Sequence, residues 1–264
     1  MLTPNAVKQS LAEGRQVFGL FCSVPVPLMI ETIAHAGFDF VIIDTEHALV
    51  NHETLENMIR AAEAVNITPF VRVTGAFPND ILRVLDAGAK GVVVPHICTA
   101  AQAELAVKSS RYFPEGMRSL NGGRPAGFGK LDLPTYIQQA NQEVMVIAMI
   151  EDREGVENLD AILSVPGLDM VLEGAADLSQ SYGVPWQTSS EQVREAIAQI
   201  HHKSLQANVT FCAIPRATSD FQKWVNQGVQ AFVLGDDRGI TYRAMRDFLQ
   251  SKLQSIETET ANFL

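Results

Sequence analysis

Short apolar runs alternate with helical stretches eight times along this chain. The runs occupy residues 17–22, 40–43, 70–73, 92–94, 145–150, 170–172, 210–214 and 231–234. They show little apolar–polar alternation and end in turn signals, such as Ser23-Val24-Pro25 and Pro95-His96. Strands buried on both faces of a parallel sheet have this character. Between the runs, apolar residues recur at helical spacing: Leu28, Ile30, Ile33 and Ala34, closed by Gly37, then Leu55, Met58, Ile59 and Ala62 after Asn51. Further helical stretches cover 79–87 (closed at Gly88), 100–109, 190–207, 219–227 and 242–253. Eight β/α units in 264 residues predict one (β/α)8 TIM barrel, a single domain over residues 1–264. An open doubly wound sheet is the alternative, but no G-x-G-x-x-G follows the first strand.

The rhythm breaks once, at residues 111–135, which are rich in Gly, Pro and basic side chains. Long loops of this kind in a compact domain are functional or disordered more often than idle. The net charge of -10 excludes general binding to nucleic acid or anionic membrane. Any anionic substrate must therefore meet a local cluster of cations. No apolar run approaches a membrane span, and the N-terminus lacks the basic-then-apolar pattern of a leader. The three cysteines, Cys22, Cys98 and Cys212, lie far apart without metal-ligand spacing, which suits a reducing compartment and a cytoplasmic location.

In such barrels the reacting groups gather at the carboxyl ends of the strands. That rule selects Asp44, Glu46 and His47 after the second strand, Arg72 in the third, and His96 after the fourth. It selects Glu151 after the fifth, and Glu173 and Asp177 after the sixth. Glu151 and Asp177 would share one rim, and hard cations such as Mg²⁺ are held by one or two carboxylates plus substrate oxygens. Two solvated loop acids remain the other reading of that pair. His47 reads equally as a base or as a loop cap. Arg72 would meet a developing oxyanion or pair with Asp44 or Glu46. His96 reads as a loop residue, and Asp86 as a polar helix residue with the option of orienting a histidine. No lysine stands at the carboxyl end of a strand, so a Schiff-base mechanism is not expected. Asp236 and Asp237 after the last strand would repel a phosphate, which favours a carboxylate substrate.

Five segments together carry a family resemblance: GFDFVIIDTEH at 37–47, FVRV at 70–73, LDAGAKGVVVP at 85–95, MIEDREGVENLDAI at 149–162 and GAADLSQSYG at 174–183. With them the chain resembles the HpcH/HpaI group of metal-dependent pyruvate aldolases, barrels of the phosphoenolpyruvate/pyruvate type. The resemblance implies that Glu151 and Asp177 ligate a divalent cation, Mg²⁺ with Mn²⁺ or Ca²⁺ as options. It implies that a 2-oxo acid chelates that cation while backbone N–H groups from Gly174 through Ala175 and Ala176 to Asp177 hold its carboxylate. Arg72 would neutralise the enolate or alkoxide oxygen. His47, held by Asp86, would move protons, and Asp44 would help fix His47. A homo-hexamer, built as a trimer of dimers, is implied as well, with the helix at 242–253 buried on a neighbouring subunit.

Departures from the aldolase pattern point to a branch. Met149 stands where aldolases have Gln, Ala175 where they have Pro, and the segment RSLNGGRPAGFGK fills 118–130. These features resemble the citrate synthases of staphyloferrin B-type siderophore pathways, which join oxaloacetate to acetyl-CoA. On that reading Arg118, Arg124 and Lys130 are the cations available for the far carboxylate of oxaloacetate or the phosphates of CoA; a solvated or subunit-bridging loop is the alternative. Two other readings stand beside it. One is an aldolase cleaving a 4-hydroxy-2-oxo acid to pyruvate and an aldehyde. The other is a non-catalytic subunit that binds a 2-oxo acid.

Overall fold

In the computed structural model, which describes residues 3–262, eight parallel strands close into a barrel in sequential order. The strands are β1 (Val17–Cys22), β2 (Phe40–Asp44), β3 (Thr68–Arg72), β4 (Gly91–Val94), β5 (Met145–Ile150), β6 (Met170–Glu173), β7 (Thr210–Ala213) and β8 (Ala231–Asp236). The helices are α1 (Ala6–Ala12), α2 (Pro27–His35), α3 (His52–Ala64), α4 (Pro78–Ala87), α5 (Ala100–Ser110), α6 (Leu133–Glu143), α7 (Arg153–Glu157), α8 (Leu159–Leu163), α9 (Ala175–Ser181), α10 (Glu191–Gln206), α11 (Thr218–Asn226) and α12 (Asp237–Asn262). The fold is a (β/α)8 TIM barrel, closed where Val17 and Phe18 of β1 pair with Ala231 and Phe232 of β8.

Alternate residues of each strand face opposite ways, and both faces are apolar. Phe40 and Ile42 point into the barrel with Phe70, Val93, Ile147, Met149 and Leu172. Val41 and Ile43 point outward with Val71, Val92, Val94, Ala148 and Val171 against the helices. Local chemistry punctuates the helices. Asn51 caps α3 by accepting from the Thr54 N–H, and Thr99 and Gln102 form a reciprocal capping box on α5. Gly88 closes α4 at φ 113°, a conformation that suits glycine.

Several boundaries differ from the sequence reading. β2, β6 and β8 run on over Asp44, Glu173 and Asp236, so acids belong to the strands themselves. β3 starts at Thr68 and passes through Pro69. α1 has only two aliphatic residues beyond alanine and was not anticipated; it places Val7 in the interior cluster at the amino end of the barrel. There Lys90 Nζ donates to the carbonyl and hydroxyl oxygens of Thr3, at 2.6 and 2.8 Å.

The segment at 111–135 is ordered by contacts of its own. Its last residues belong to α6, and Tyr112, Ala126, Tyr136 and Ala140 form a small separate core. α12 carries an exposed apolar stripe that includes Tyr242, Met245, Phe248 and Leu249. No helix among the described residues is long and apolar enough to cross a membrane.

Gly91 shows how tightly β4 and β5 meet. A Cβ there would lie 2.3 Å from the Met145 carbonyl oxygen, which is backbone and cannot swing aside. Gly91→Ala should lower unfolding free energy by about 1–3 kcal/mol, the usual cost of overpacking. Urea unfolding checks it; an unchanged midpoint would mean that the two strands separate freely here.

Candidate active site

The register of the sheet sets the first element of the site. Asp44 at the end of β2 is the direct neighbour of Arg72 at the end of β3. Their side chains form a buried two-pronged ion pair, Nε to Oδ1 and Nη2 to Oδ2, both at 2.9 Å. Asp44 also accepts from the Ser23 hydroxyl at 3.2 Å and from the N–H groups of Glu46 and His47 at 3.1 and 3.3 Å. Burial works against the charged carboxylate, but the Arg72 hydrogen bonds and charge, with the two N–H groups, outweigh it and hold Asp44 below the usual carboxylate range. Arg72 lies over the Phe21 ring at 4.7 Å, and its Nη1 is 3.1 Å from Glu46 Oε2.

Acids occupy the opposite side of the same mouth. Glu151 follows β5 and is buried. Burial first, and then the charges of Glu46 and Asp177, raise its pKa to about 7, against the lowering effect of the His96 N–H and imidazole. The His96 N–H donates to Glu151 Oε1 at 3.0 Å, and its Nδ1 is 2.8 Å from Asp152 Oδ2. His96 therefore borders the acids, a closer role than the loop residue read from sequence. Gly174 makes the room: a Cβ there would lie 2.5 Å from Glu151 Cβ and 2.6 Å from Oε2.

One cavity of about 510 Å³ is lined by Asp44, His47, Arg72, Glu151, Gly174, Ala175, Ala176 and Asp177 together. Phe21, Ser23, Met149, Trp186, Arg216, Asp236 and Arg238 complete much of its wall. His47 is half exposed, its Nε2 3.8 Å from Glu46 Oε2. Among the described residues no group of three or more His, Cys, Asp or Glu side chains is arranged to hold a metal. Two carboxylates are nonetheless what Mg²⁺ commonly takes from a protein, the remaining positions going to water and substrate. The donor set fits such a cation: the Glu151 carboxyl is buried, and the charges of Asp177 and Glu46 both act against its ionised form.

Within this chain three of the expected site groups have other partners. Asp86 does not line the cavity that His47 lines; it accepts from Arg118 Nη2 at 2.8 Å and Asn121 Nδ2 at 3.1 Å. Arg118 and Arg124 do not reach the cavity. Arg118 is buried against Asp86 and the Tyr112 ring, and Arg124 is bound to Glu63 and to the Ala87 carbonyl at 3.0 Å. These arginines stitch the 111–135 segment to α3 and α4. The backbone grip at 174–177 is narrower than anticipated, too. The Gly174 N–H donates to the Ile150 carbonyl and the Ala175 N–H to Glu173, which leaves the N–H groups of Ala176 and Asp177 for a ligand.

Arg216, after β7, was missed altogether. Applying the strand-end rule to the seventh run, which ends at Ile214-Pro215-Arg216, would have found it.

Comparison with known proteins follows the same lines. The family model for HpcH/HpaI aldolase/citrate lyase matches residues 17–244. The crystal structure of the citrate synthase SbnG is 49% identical, with a TM-score of 0.89, covering 95% of this chain and 98% of that one. The 5-keto-4-deoxy-D-glucarate aldolase of Klebsiella pneumoniae is 32% identical over 238 residues, 90% of this chain and 92% of the relative. The hydroxypyruvate/pyruvate aldolase of Roseobacter denitrificans is 36% identical over 195 residues, 73% of this chain and 75% of the relative.

The raised pKa of Glu151 has a thermodynamic consequence. A carboxyl whose folded pKa is raised stabilises the fold while protonated, and that contribution is lost as pH rises from the ordinary carboxylate range through about 7. His96, whose pKa is also raised despite opposing burial, acts in the same direction. In EDTA the melting temperature should therefore fall between pH 5 and 8, and Glu151→Gln should flatten part of that fall. An identical slope in the variant would assign the pH dependence to other groups.

Proposed function

The chain belongs to the HpcH/HpaI aldolase/citrate lyase family, and on that premise we propose that it is a citrate synthase joining oxaloacetate to acetyl-CoA. The observation that carries the reading is the 49% identity with the citrate synthase SbnG across 95% of the chain, against 32% and 36% for the aldolases. The gathering of His47, Arg72, Glu151 and Asp177 around one cavity supports it. Production of citrate for a siderophore of the staphyloferrin B type is the role we assign to it.

In the reaction the methyl group of acetyl-CoA loses a proton, and the resulting enolate carbon attacks the keto carbon of oxaloacetate. The carbonyl π bond breaks as the carbon–carbon bond forms, and the alkoxide takes up a proton. Water then cleaves the thioester, releasing citrate and the CoA thiol. Glu151 and Asp177 would hold a divalent cation such as Mg²⁺, which would supply polarisation of the keto group of the 2-oxo acid.

The chain's own residues do the rest. Arg72, immobilised by Asp44, donates toward the oxygen that gains negative charge. His47, exposed enough to meet the incoming thioester, moves the proton. The N–H groups of Ala176 and Asp177 orient the adjacent carboxylate, and the Met149 and Phe21 side chains limit water around it.

An aldolase that releases pyruvate from a 4-hydroxy-2-oxo acid is the second reading, favoured by the aldolases among the relatives. Purified protein with Mg²⁺, oxaloacetate and acetyl-CoA should release free thiol. EDTA should abolish the release, and Arg72→Ala should lower kcat by about 100-fold or more, as loss of an oxyanion donor does. Pyruvate release from a hydroxy-oxo acid without any thiol release would reject the synthase in favour of the aldolase.

We also propose that copies of the chain assemble, as a homo-hexamer, through α12. Its exposed Tyr242, Met245, Phe248 and Leu249 form an apolar stripe that a second copy would cover. Sedimentation at micromolar concentration should give an assembly, and Phe248→Asp should shift it to smaller species; a monomeric parent would end this reading.

A further inference from the structure

The cavity wall opposite Arg72 contains a second guanidinium that neither the sequence reading nor the proposed chemistry uses. Arg216 follows β7 and is held by Glu173, the last residue of β6. Nη1 donates to Glu173 Oε1 at 2.9 Å and Nη2 to Oε2 at 3.0 Å, while Nη1 also donates to the Ile214 carbonyl at 2.8 Å. Glu173 is buried and accepts two backbone N–H groups besides, from Ile214 at 2.9 Å and Ala175 at 3.1 Å. The carboxylate is thus a fixed clamp, and the head of Arg216 is set before any ligand arrives.

A guanidinium has five N–H donors in one rigid plane. The contacts of Arg216 account for three: both on Nη1 and one on Nη2. The remaining two, on Nε and Nη2, share one edge of the plane and form a parallel fork. That spacing matches the two oxygens of a carboxylate. The side chain is 33% exposed and lines the mouth cavity.

No other arginine of this mouth presents an edge on a head that is already clamped. Arg72 gives its Nε–Nη2 edge to Asp44, while Arg118 and Arg124 are turned away to Asp86 and Glu63. Arg238 lines the same wall but is loosely paired with Asp236, at 3.9 Å. Asp236 in turn accepts from the Gly239 N–H at 2.8 Å.

We propose that Arg216 is the specificity residue for a dicarboxylic 2-oxo acid, taking through its free fork the carboxylate remote from the keto group. The proposal rests on the reading that this cavity binds a 2-oxo acid. It separates the two ends of the substrate. The keto end lies with Arg72, the acids and the N–H groups of Ala176 and Asp177; the far carboxylate lies with Arg216. A monocarboxylic 2-oxo acid fills the first part and leaves the fork empty. Arg216 thus selects the substrate without joining the bond-making step.

Calorimetric titration of the Mg²⁺-supplemented protein with oxaloacetate and with pyruvate tests this. Pyruvate has the same keto-acid head and lacks the second carboxylate. The parent should bind oxaloacetate more tightly than pyruvate. Arg216→Ala should weaken oxaloacetate about 10- to 100-fold, the range of a lost charge-assisted bond, and leave pyruvate within about twofold. Arg216→Lys keeps the charge but not the fork, and should recover only part of the loss. It also serves if the alanine variant does not fold.

Equal weakening of both ligands would reduce Arg216 to a support for Glu173, and no weakening would remove it from recognition; either overturns the proposal. Selectivity lost with Arg216 in a protein that never releases thiol from acetyl-CoA would sink the synthase and leave this assignment standing. Thiol release with selectivity intact in the variants would do the reverse.

Discussion

A closed ring of parallel strands, apolar on both faces, has nowhere to put a charge except its ends. In this barrel β2 and β3 each end on a buried charge, and the register places the two side by side. Neither Asp44 nor Arg72 is tolerable there alone, since removing one partner of a buried ion pair costs about 3–5 kcal/mol. Together, with Ser23 and two backbone N–H groups on the carboxylate, they are satisfied. The consequence for chemistry is that the guanidinium cannot wander. Its position follows from the ladder of the sheet, and the ladder from the burial of both faces.

The rest of the mouth repeats this device with different aims. Glu173 and Arg216, one and two strands beyond Glu151 in the ring, form a second clamp that leaves one edge of the guanidinium open. Glu151 is the opposite case: a buried acid next to other acids, propped in place by the His96 N–H and by the absence of a side chain at Gly174. Its raised pKa comes first from burial and then from the charges of Glu46 and Asp177. One mouth thus holds both a guanidinium fixed by a carboxylate and a buried carboxyl crowded by like charges.

Pattern reading found the barrel because period and run length are local properties. β1 and β5 match end to end, since strong turn signals bound both. Where acids extend a strand, as at Asp44 and Glu173, polarity suggested a loop, but backbone pairing continues regardless of side-chain charge once a partner neutralises it. Strand-end position picked out His47, Arg72, Glu151 and Asp177, and all four line one cavity. Partnerships were not legible. Arg118 and Arg124 looked free because their acids, Asp86 and Glu63, lie 32 and 61 residues away. α1 escaped notice because it is short, and its meaning comes from the barrel end that receives Val7.

The seam between β1 and β8 joins residues more than two hundred positions apart in the chain. Pairings so distant carry a heavy loop-closure cost, and they form late. Until then β1 has one neighbour, its other edge is bare, and Phe18 lacks the Phe232 ring on which it stacks. Until the ring shuts, that edge is open to pairing with another chain. Asp237, just past β8, receives the N–H groups of Ser23 and Val24 just past β1, and so fastens the join from the catalytic side. Ser23 in turn touches Asp44, so the seam that closes the ring and the buried charge of the mouth belong to one connected lattice of hydrogen bonds.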